Sequence, residues 1–221
     1  MGITEGTFLQ VSFFIMEGNP MNELTHHFIT EKAIDQSKIK ISKKNIDILL
    51  KYSIIPDTDE NEGAFKNHFY NPATRKNFRG ERTTALTKFI EHYEKAKSGA
   101  DIEELGRSIH FLEDLNTPVH IFYEDLFDSV YRLNQHIEFE KVCDKLVQNI
   151  NFNSHIIEGY YTVNSLKTIG KACAMKASIL FKELDEGKTK AEVIGERSIN
   201  NAIGAVTGIL IRFFGGCNNE R

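Results

Sequence analysis

Histidines and carboxylates recur at metal-binding intervals in the stretch Leu105–Glu140, LGRSIHFLEDLNTPVHIFYEDLFDSVYRLNQHIEFE. His110 and Asp114 stand four residues apart, and so do His136 and Glu140. On a helix each pair projects from one face, one turn apart, so two donors can close on one ion. His120 follows Asn116, Thr117 and Pro118, where a helix must end or bend. Imidazole and carboxylate in this pattern suit zinc, which takes three or four nitrogen and oxygen ligands. A single His-xxx-Asp pair is common on helix surfaces; two pairs with a histidine beyond a turn are harder to ascribe to chance.

Further donors lie upstream. His26 and His27 fall in the first turn of an expected helix, and position alone does not choose between them. The segment IPDTDENEGAFKNHFYNPAT carries Asp57 and His68 together with Phe65, Phe69 and Tyr70. Turn-forming residues interleaved with aromatics mark an ordered functional loop. Asp57, Thr58, Asp59 and Asn61 also offer oxygen donors for calcium, but the spacing misses the EF-hand pattern.

The elements that must position these groups read as helices. Thr25 is the expected cap of a helix whose inward stripe is Phe28, Ile29, Ala33 and Ile34. Ser42 caps the next, through about Lys51. A helix over Ala85–Lys97 is expected to end at Gly99, and Asp101 with Glu104 forms a capping-box pattern for the helix carrying His110 and Asp114. There Ile102, Leu105, Ile109 and Leu112 form the packing face, and Gly106 permits close backbone approach. Further helices are expected over 131–150, over Val163–Leu184, and from a Thr189–Glu192 box to about Phe214, whose apolar, glycine-containing end argues for a buried helix contact. No alternating strand pattern competes, so the fold class is all-α, a compact multi-helix domain over residues 22–221 with an N-terminal arm over 1–21.

Bulk properties narrow the function. At 221 residues with 41% apolar content, the chain suits one domain with a true core. Its 27 basic and 31 acidic residues give a formal charge of -4, which does not favour duplex nucleic acid as a partner. Cys143, Cys173 and Cys217 form neither a disulfide framework nor a zinc-finger pattern, and read as two buried thiols and one near the tail. No stretch is long and apolar enough to span a membrane. The short run Phe8–Met16 lacks a basic segment before it and a small-residue cleavage site after it, so a cytoplasmic location is favoured over secretion.

Four blocks, THHFITEKAI, PDTDENEGAFKNHFYNPAT, HFLEDLNTPVH and HIEFE, together resemble the zinc-dependent phospholipase C family, itself related to helical single-strand nucleases of the S1/P1 type. The blocks run from Thr25 to Glu140; the C-terminal helices add compatible composition but no motif. The resemblance implies two or three zinc ions per chain. By motif matching, Asp57, His68, His110 and Asp114 would hold one ion. Asp114 would be shared with a second, reached by His26, leaving His27 to packing or support. His120, His136 and Glu140 would hold a third. The resemblance also gives Asp57 a second role as general base and offers Phe65 as an apolar wall for the substrate head group.

Two departures stand out. Secreted members present an amino-terminal Trp to zinc, and this chain contains no Trp. Thr58 stands where the family has a tyrosine beside the loop aspartate, which weakens choline recognition. The helical elements take up the whole chain, so the separate lipid-binding domain of some toxins has no counterpart among them, and efficient attack on intact membranes is not expected. The leading expectation is hydrolysis of a phospholipid or small phosphodiester by metal-activated water, without stable membrane insertion and with no protein partner indicated. The alternatives are a single-strand nuclease or 3'-nucleotidase with Tyr70, Arg75, Phe78, Arg79 and Arg82 as a stacking and cationic surface, an amide or acyl hydrolase, and a non-enzymatic metal-binding protein.

Overall fold

A computed structural model of the chain describes residues 23–59, 65–121, 130–149 and 158–216. The expected arm over 1–21, with its run Phe8–Met16, lies outside the described residues, as do Asn61 and Cys217. The described residues form helices α1 (Glu23–Ser37), α2 (Lys43–Tyr52), α3 (Ala85–Gly99), α4 (Ile102–Asp114), α5 (Val130–Asn149), α6 (Glu158–Val163), α7 (Leu166–Asp185) and α8 (Ala191–Gly216). Three short 3-10 turns, Ile55–Asp57, Phe65–His68 and Pro118–His120, connect them. Among the described residues the only extended pairing is one parallel bridge between Tyr70 and Ile121. No described helix is long and apolar enough to cross a membrane.

The apolar spacing explains the layout. Helix α8 lies against α1, α4, α5, α6 and α7, with Ile194, Ile199, Ile203, Val206, Ile209 and Leu210 buried along it. The stripe Ile29, Ala33 and Ile34 of α1 and the face Leu105, Ile109 and Leu112 of α4 join the same core, with Phe28 and Ile102 partly buried against it. Burying such stripes, at roughly 25 cal/mol per Å² of apolar area, drives the helices together. The site then sits where α1, α4 and α5 meet the short turns.

Several local expectations change. Thr25 does not cap α1, which begins at Glu23; its N–H and hydroxyl both reach Asp144 of α5. Gly99 is the last residue of α3, and Ala100 takes the left-handed conformation beyond it, at φ 51°. Asp101 caps α4 by accepting from the Glu103 and Glu104 N–H groups, but the Glu104 carboxylate pairs with His92 rather than closing a box. The helix expected over Val163–Leu184 is α7, which starts three residues later because Ser165 caps it through the Thr168 N–H; the short α6 before it was not expected. Thr189 donates its hydroxyl to Glu183 instead of forming a box with Glu192.

Candidate metal centre

Helix α4 carries the centre of the site. His110 and Asp114 are fully buried, one turn apart on the same face. His110 is held from behind, its Nδ1 donating to the Ser53 carbonyl at 2.9 Å. That contact depends on Gly106, where an added Cβ would sit 2.6 Å from Tyr52 Cβ and 3.2 Å from the Leu49 carbonyl oxygen. Without a side chain at 106, α2 closes on α4 and delivers Ser53 to the ring.

The turns bring the loop donors to α4. Arg107, one turn before His110, bonds Asp59 at 2.9 Å and pins the turn that ends at Asp57. The Tyr70–Ile121 bridge, with Tyr70 N–H donating to the His120 carbonyl at 3.0 Å, sets His68 and His120 side by side. His120 Nδ1 in turn donates to the His68 carbonyl at 3.1 Å. Phe69 stacks on the His120 ring at 4.9 Å and 7°, which holds its plane. Helix α5 supplies His136 and Glu140, with His136 Nε2 3.0 Å from Glu140 Oε1 and His120 Nε2 3.2 Å from the same oxygen.

All eight sequence-predicted ligands converge in three groups: His26 with His110 and Asp114; Asp57 with His68 and His110; and His120 with His136 and Glu140. Within each group the donor atoms lie within 4.8 Å of one another. The groups adjoin through Asp114, whose Oδ2 is 2.9 Å from His68 Nδ1 and 3.4 Å from His110 Nε2, and whose Oδ1 is 3.3 Å from His120 Nδ1. Asp114 Oδ1 is buried and makes no hydrogen bond among the described residues. A buried carboxylate oxygen with an unspent lone pair, ringed by imidazoles and further carboxylates, fits a divalent cation that accepts mixed nitrogen and oxygen donors.

The electrostatics follow from burial opposed by pairing. Burial disfavours charge on Asp114, yet His110, His120 and His68 hold its carboxyl well below the usual carboxylate range. Burial likewise works against Glu140, and His136 with His120 brings it down to about 2. Burial would lower His120, but Asp114 and Glu140 raise it to about 9. Burial would also lower His26, and Glu113 first, then Asp57 and Asp114, raise it to about 9.

Three expected substrate contacts separate. Phe65 packs edge-on against His136 at 5.6 Å and against Phe69 at 4.8 Å, so it walls the third group. Thr58 is exposed, and its hydroxyl closes the turn by donating to the Ile55 carbonyl at 3.2 Å. Tyr70 is 2% exposed and belongs to the core, because its backbone is consumed by the bridge to Ile121; it offers no stacking surface. His27 is half-buried, and α1 turns His26 rather than His27 toward the cluster. Cys143 and Cys173 are buried free thiols, as expected.

Glu113 was not anticipated. It is fully buried, pairs with His26 Nδ1, and accepts from the Thr30 hydroxyl at 2.9 Å. In sequence it reads as one more acid beside Asp114, and its partner lies 87 positions away. Ser53 was equally hidden, since it acts through its carbonyl.

Comparison with known proteins agrees with this geometry. The chain is 24% identical to a phospholipase C of Paraclostridium bifermentans, over 96% of this chain and 64% of that protein, so it spans just under two thirds of that relative's length. Its fold matches the alpha toxin of Clostridium absonum with a TM-score of 0.74 at 22% identity, covering 92% of this chain and 66% of that one. It also matches the Clostridium perfringens alpha-toxin of avian strain SWCP with a TM-score of 0.71 at 15% identity, over 89% and 64% of the two chains. The model of one family, zinc dependent phospholipase C, matches residues 25–187, well over half the chain and every candidate ligand. With its donors gathered at one buried centre and that match across them, the chain belongs to the zinc-dependent phospholipase C family.

Proposed function

We propose that this chain is a zinc-dependent hydrolase of phosphodiesters, with a phospholipid or a small phosphodiester as substrate, and that it holds two or three zinc ions. The observation that carries the reading is the convergence of three His/carboxylate groups around Asp114. His68, His110, Asp57 and Asp114 would hold one ion, His26 with Asp114 a second, and His120, His136 and Glu140 a third. Zinc supplies Lewis acidity, lowering the pKa of a water and polarising the phosphoryl group.

The protein's own part is placement and proton handling. Asp57 is the ligand that solvent reaches, its side chain 22% exposed against 2% or less for His26, His110 and Asp114. Its Oδ1 faces His68 and His110 at 3.6 and 3.5 Å and its Oδ2 lies 3.9 Å from His26 Nε2, so this solvent-reached carboxylate stands between imidazoles of two groups, where the attacking water would give up its proton. The water oxygen forms the new bond to phosphorus as the bond to the leaving oxygen breaks; that oxygen keeps the bonding pair and takes a proton from solvent, giving an alcohol and a phosphate monoester. Phe65 and Phe78, edge to face at 6.0 Å, present an apolar wall beside His136 for the non-reacting part of the substrate. Burial of Tyr70 takes one of the two aromatics from the surface that a nuclease reading needs, leaving the partly buried Phe78 with Arg79 over its ring at 5.9 Å.

The test is a substrate panel run on zinc-loaded and chelated protein: phospholipid in mixed micelles, soluble phosphodiesters, single-stranded DNA, 3'-nucleotides, and acyl esters and amides. Zinc-dependent turnover of phosphodiesters, ahead of nucleic acid and acyl compounds, is the expected outcome. Turnover confined to acyl or amide substrates, or none with zinc bound, overturns it.

A further inference from the structure

His26 is gripped at both ends. Its Nδ1 meets Glu113, and its Nε2 lies 3.9 Å from both Asp57 Oδ2 and Asp114 Oδ1. Its ring stacks on His110 at 4.3 Å, which fixes the plane between those ends. We infer that Glu113 is a positioning residue: by accepting the His26 Nδ1 proton it fixes the tautomer that turns the Nε2 lone pair to Asp57 and Asp114, and so sets the affinity of the ion held there.

The arrangement is costly unless it serves such a purpose. A carboxylate with no exposed surface gives up its hydration, a cost offset only where its oxygens find partners. Here both are: one by His26, the other by Thr30 at 2.9 Å. His26 and Thr30 are four apart on α1, so a single turn of that helix clasps one carboxylate of α4. Glu113 and Asp114 are neighbours on α4, and about 100° of helical rotation separates their side chains. Asp114 therefore approaches the ion directly while Glu113 supports the imidazole from behind. A carboxylate on the distal nitrogen makes imidazole a stronger donor, and losing such support typically lowers metal affinity about 10–100-fold.

The inference rests on His26 holding metal but not on the identity of the substrate. The experiment measures zinc affinity for each ion by chelator competition in wild type, Glu113→Gln, Thr30→Val and His26→Ala, with the fold followed by circular dichroism. Nitrogen chemical shifts of the His26 ring in zinc-loaded wild type report which nitrogen keeps the proton. Expected results are a proton on Nδ1 in wild type, loss of one ion in His26→Ala, and a 10–100-fold weaker affinity for that same ion in Glu113→Gln, with a smaller loss in Thr30→Val and the other ions unchanged. If His26→Ala loses an ion while Glu113→Gln binds like wild type, the role of Glu113 is refuted and the ligand assignment stands. If His26→Ala keeps every ion, the ligand assignment itself is refuted. Should Glu113→Gln fail to fold, the wild-type tautomer decides, and a proton on Nε2 overturns the inference.

Discussion

Asp144 Oδ1 accepts from both the backbone N–H and the hydroxyl of Thr25, at 3.2 and 2.7 Å. Asp144 stands one turn after Glu140 on α5, and Thr25 immediately precedes His26 on α1. One carboxylate thus ties the start of α1, whose first N–H groups lack helical partners, to the helix that carries two candidate ligands of the third group. Asp144→Ala leaves a buried hydroxyl and N–H without an acceptor, so a stability loss of about 1–3 kcal/mol is expected. Urea unfolding of zinc-loaded wild type and variant at equal protein concentration measures it; a midpoint unchanged within error counts against the tie.

Metal removal should cost more. Asp57, Asp114 and Glu140 come from distant parts of the chain and, with Glu113, crowd one buried region. A cation offsets their repulsion, and its binding free energy adds to folding. Thermal unfolding after verified chelation should show a clearly lower midpoint, recovered on adding zinc. Superimposable curves would leave the cluster without a structural role.

Acidity should act in opposite directions on the two forms. In chelated protein, His26 and His120 titrate near 9, above the ordinary 6.5. Their contribution to stability is complete below pH 6.5 and lost as pH climbs through about 9. Zinc must displace those same protons, so its affinity rises across that interval. Chelated protein should become less stable from pH 6.5 to 9 while zinc binding tightens. Below that range Glu140, brought down from 4.5 to about 2, supplies stability that disappears as pH falls toward about 2. Calorimetric titration in buffers of different ionisation enthalpy should register proton release on zinc uptake; none at pH 7.5 contradicts the assignment.

Close helix approach can be tested at one atom. Gly106→Ala places a Cβ 2.6 Å from Tyr52 Cβ, forcing α2 away from α4 and Ser53 away from His110. A loss of about 1–3 kcal/mol is expected, with weaker zinc binding. Gly99→Ala meets nothing nearer than 3.8 Å and should instead be neutral or stabilise by up to about 1 kcal/mol. Equal unfolding midpoints for the two variants would show that the contact at Gly106 does not matter.

These residues show what spacing conveys. His110 with Asp114 and His136 with Glu140 were legible because helical periodicity converts a four-residue interval into proximity. His120 was a candidate from its place just beyond the Pro118 turn, whereas Asp57, His68 and His26 needed the family pattern, since no local rule brings a distant loop and helix together. Glu113, Asp144 and the Ser53 carbonyl escaped because each is defined by a partner on another helix or by a backbone atom. Helix α6 was not anticipated, and the start of α7 fell three residues after the expected one, although Ser165 followed by Thr168 was an available cap signal. Tyr70 shows the converse: an aromatic in a polar loop looks available for ligand, yet its backbone pairing draws the ring into the core.

In the proposed mechanism Asp57 is the position where ligation and proton transfer meet. Its side chain is partly open to solvent while its Oδ1 faces two imidazoles, so one carboxylate can hold metal and take a proton from water. Asp57→Asn keeps the size and removes the charge. Turnover should fall about 10²–10⁴-fold if the base alone is lost, and further if an ion leaves with it. Zinc content per chain must therefore be measured on the same sample. Where zinc is retained and the rate falls, the rate should no longer show the wild-type dependence on an ionising base. A single turnover in isotopically labelled water should carry the label into the phosphate product, as the proposed attack of water on phosphorus requires. A variant that keeps its zinc and full activity removes Asp57 as the base, whereas label in the alcohol instead of the phosphate would show that the ester breaks at its carbon–oxygen bond.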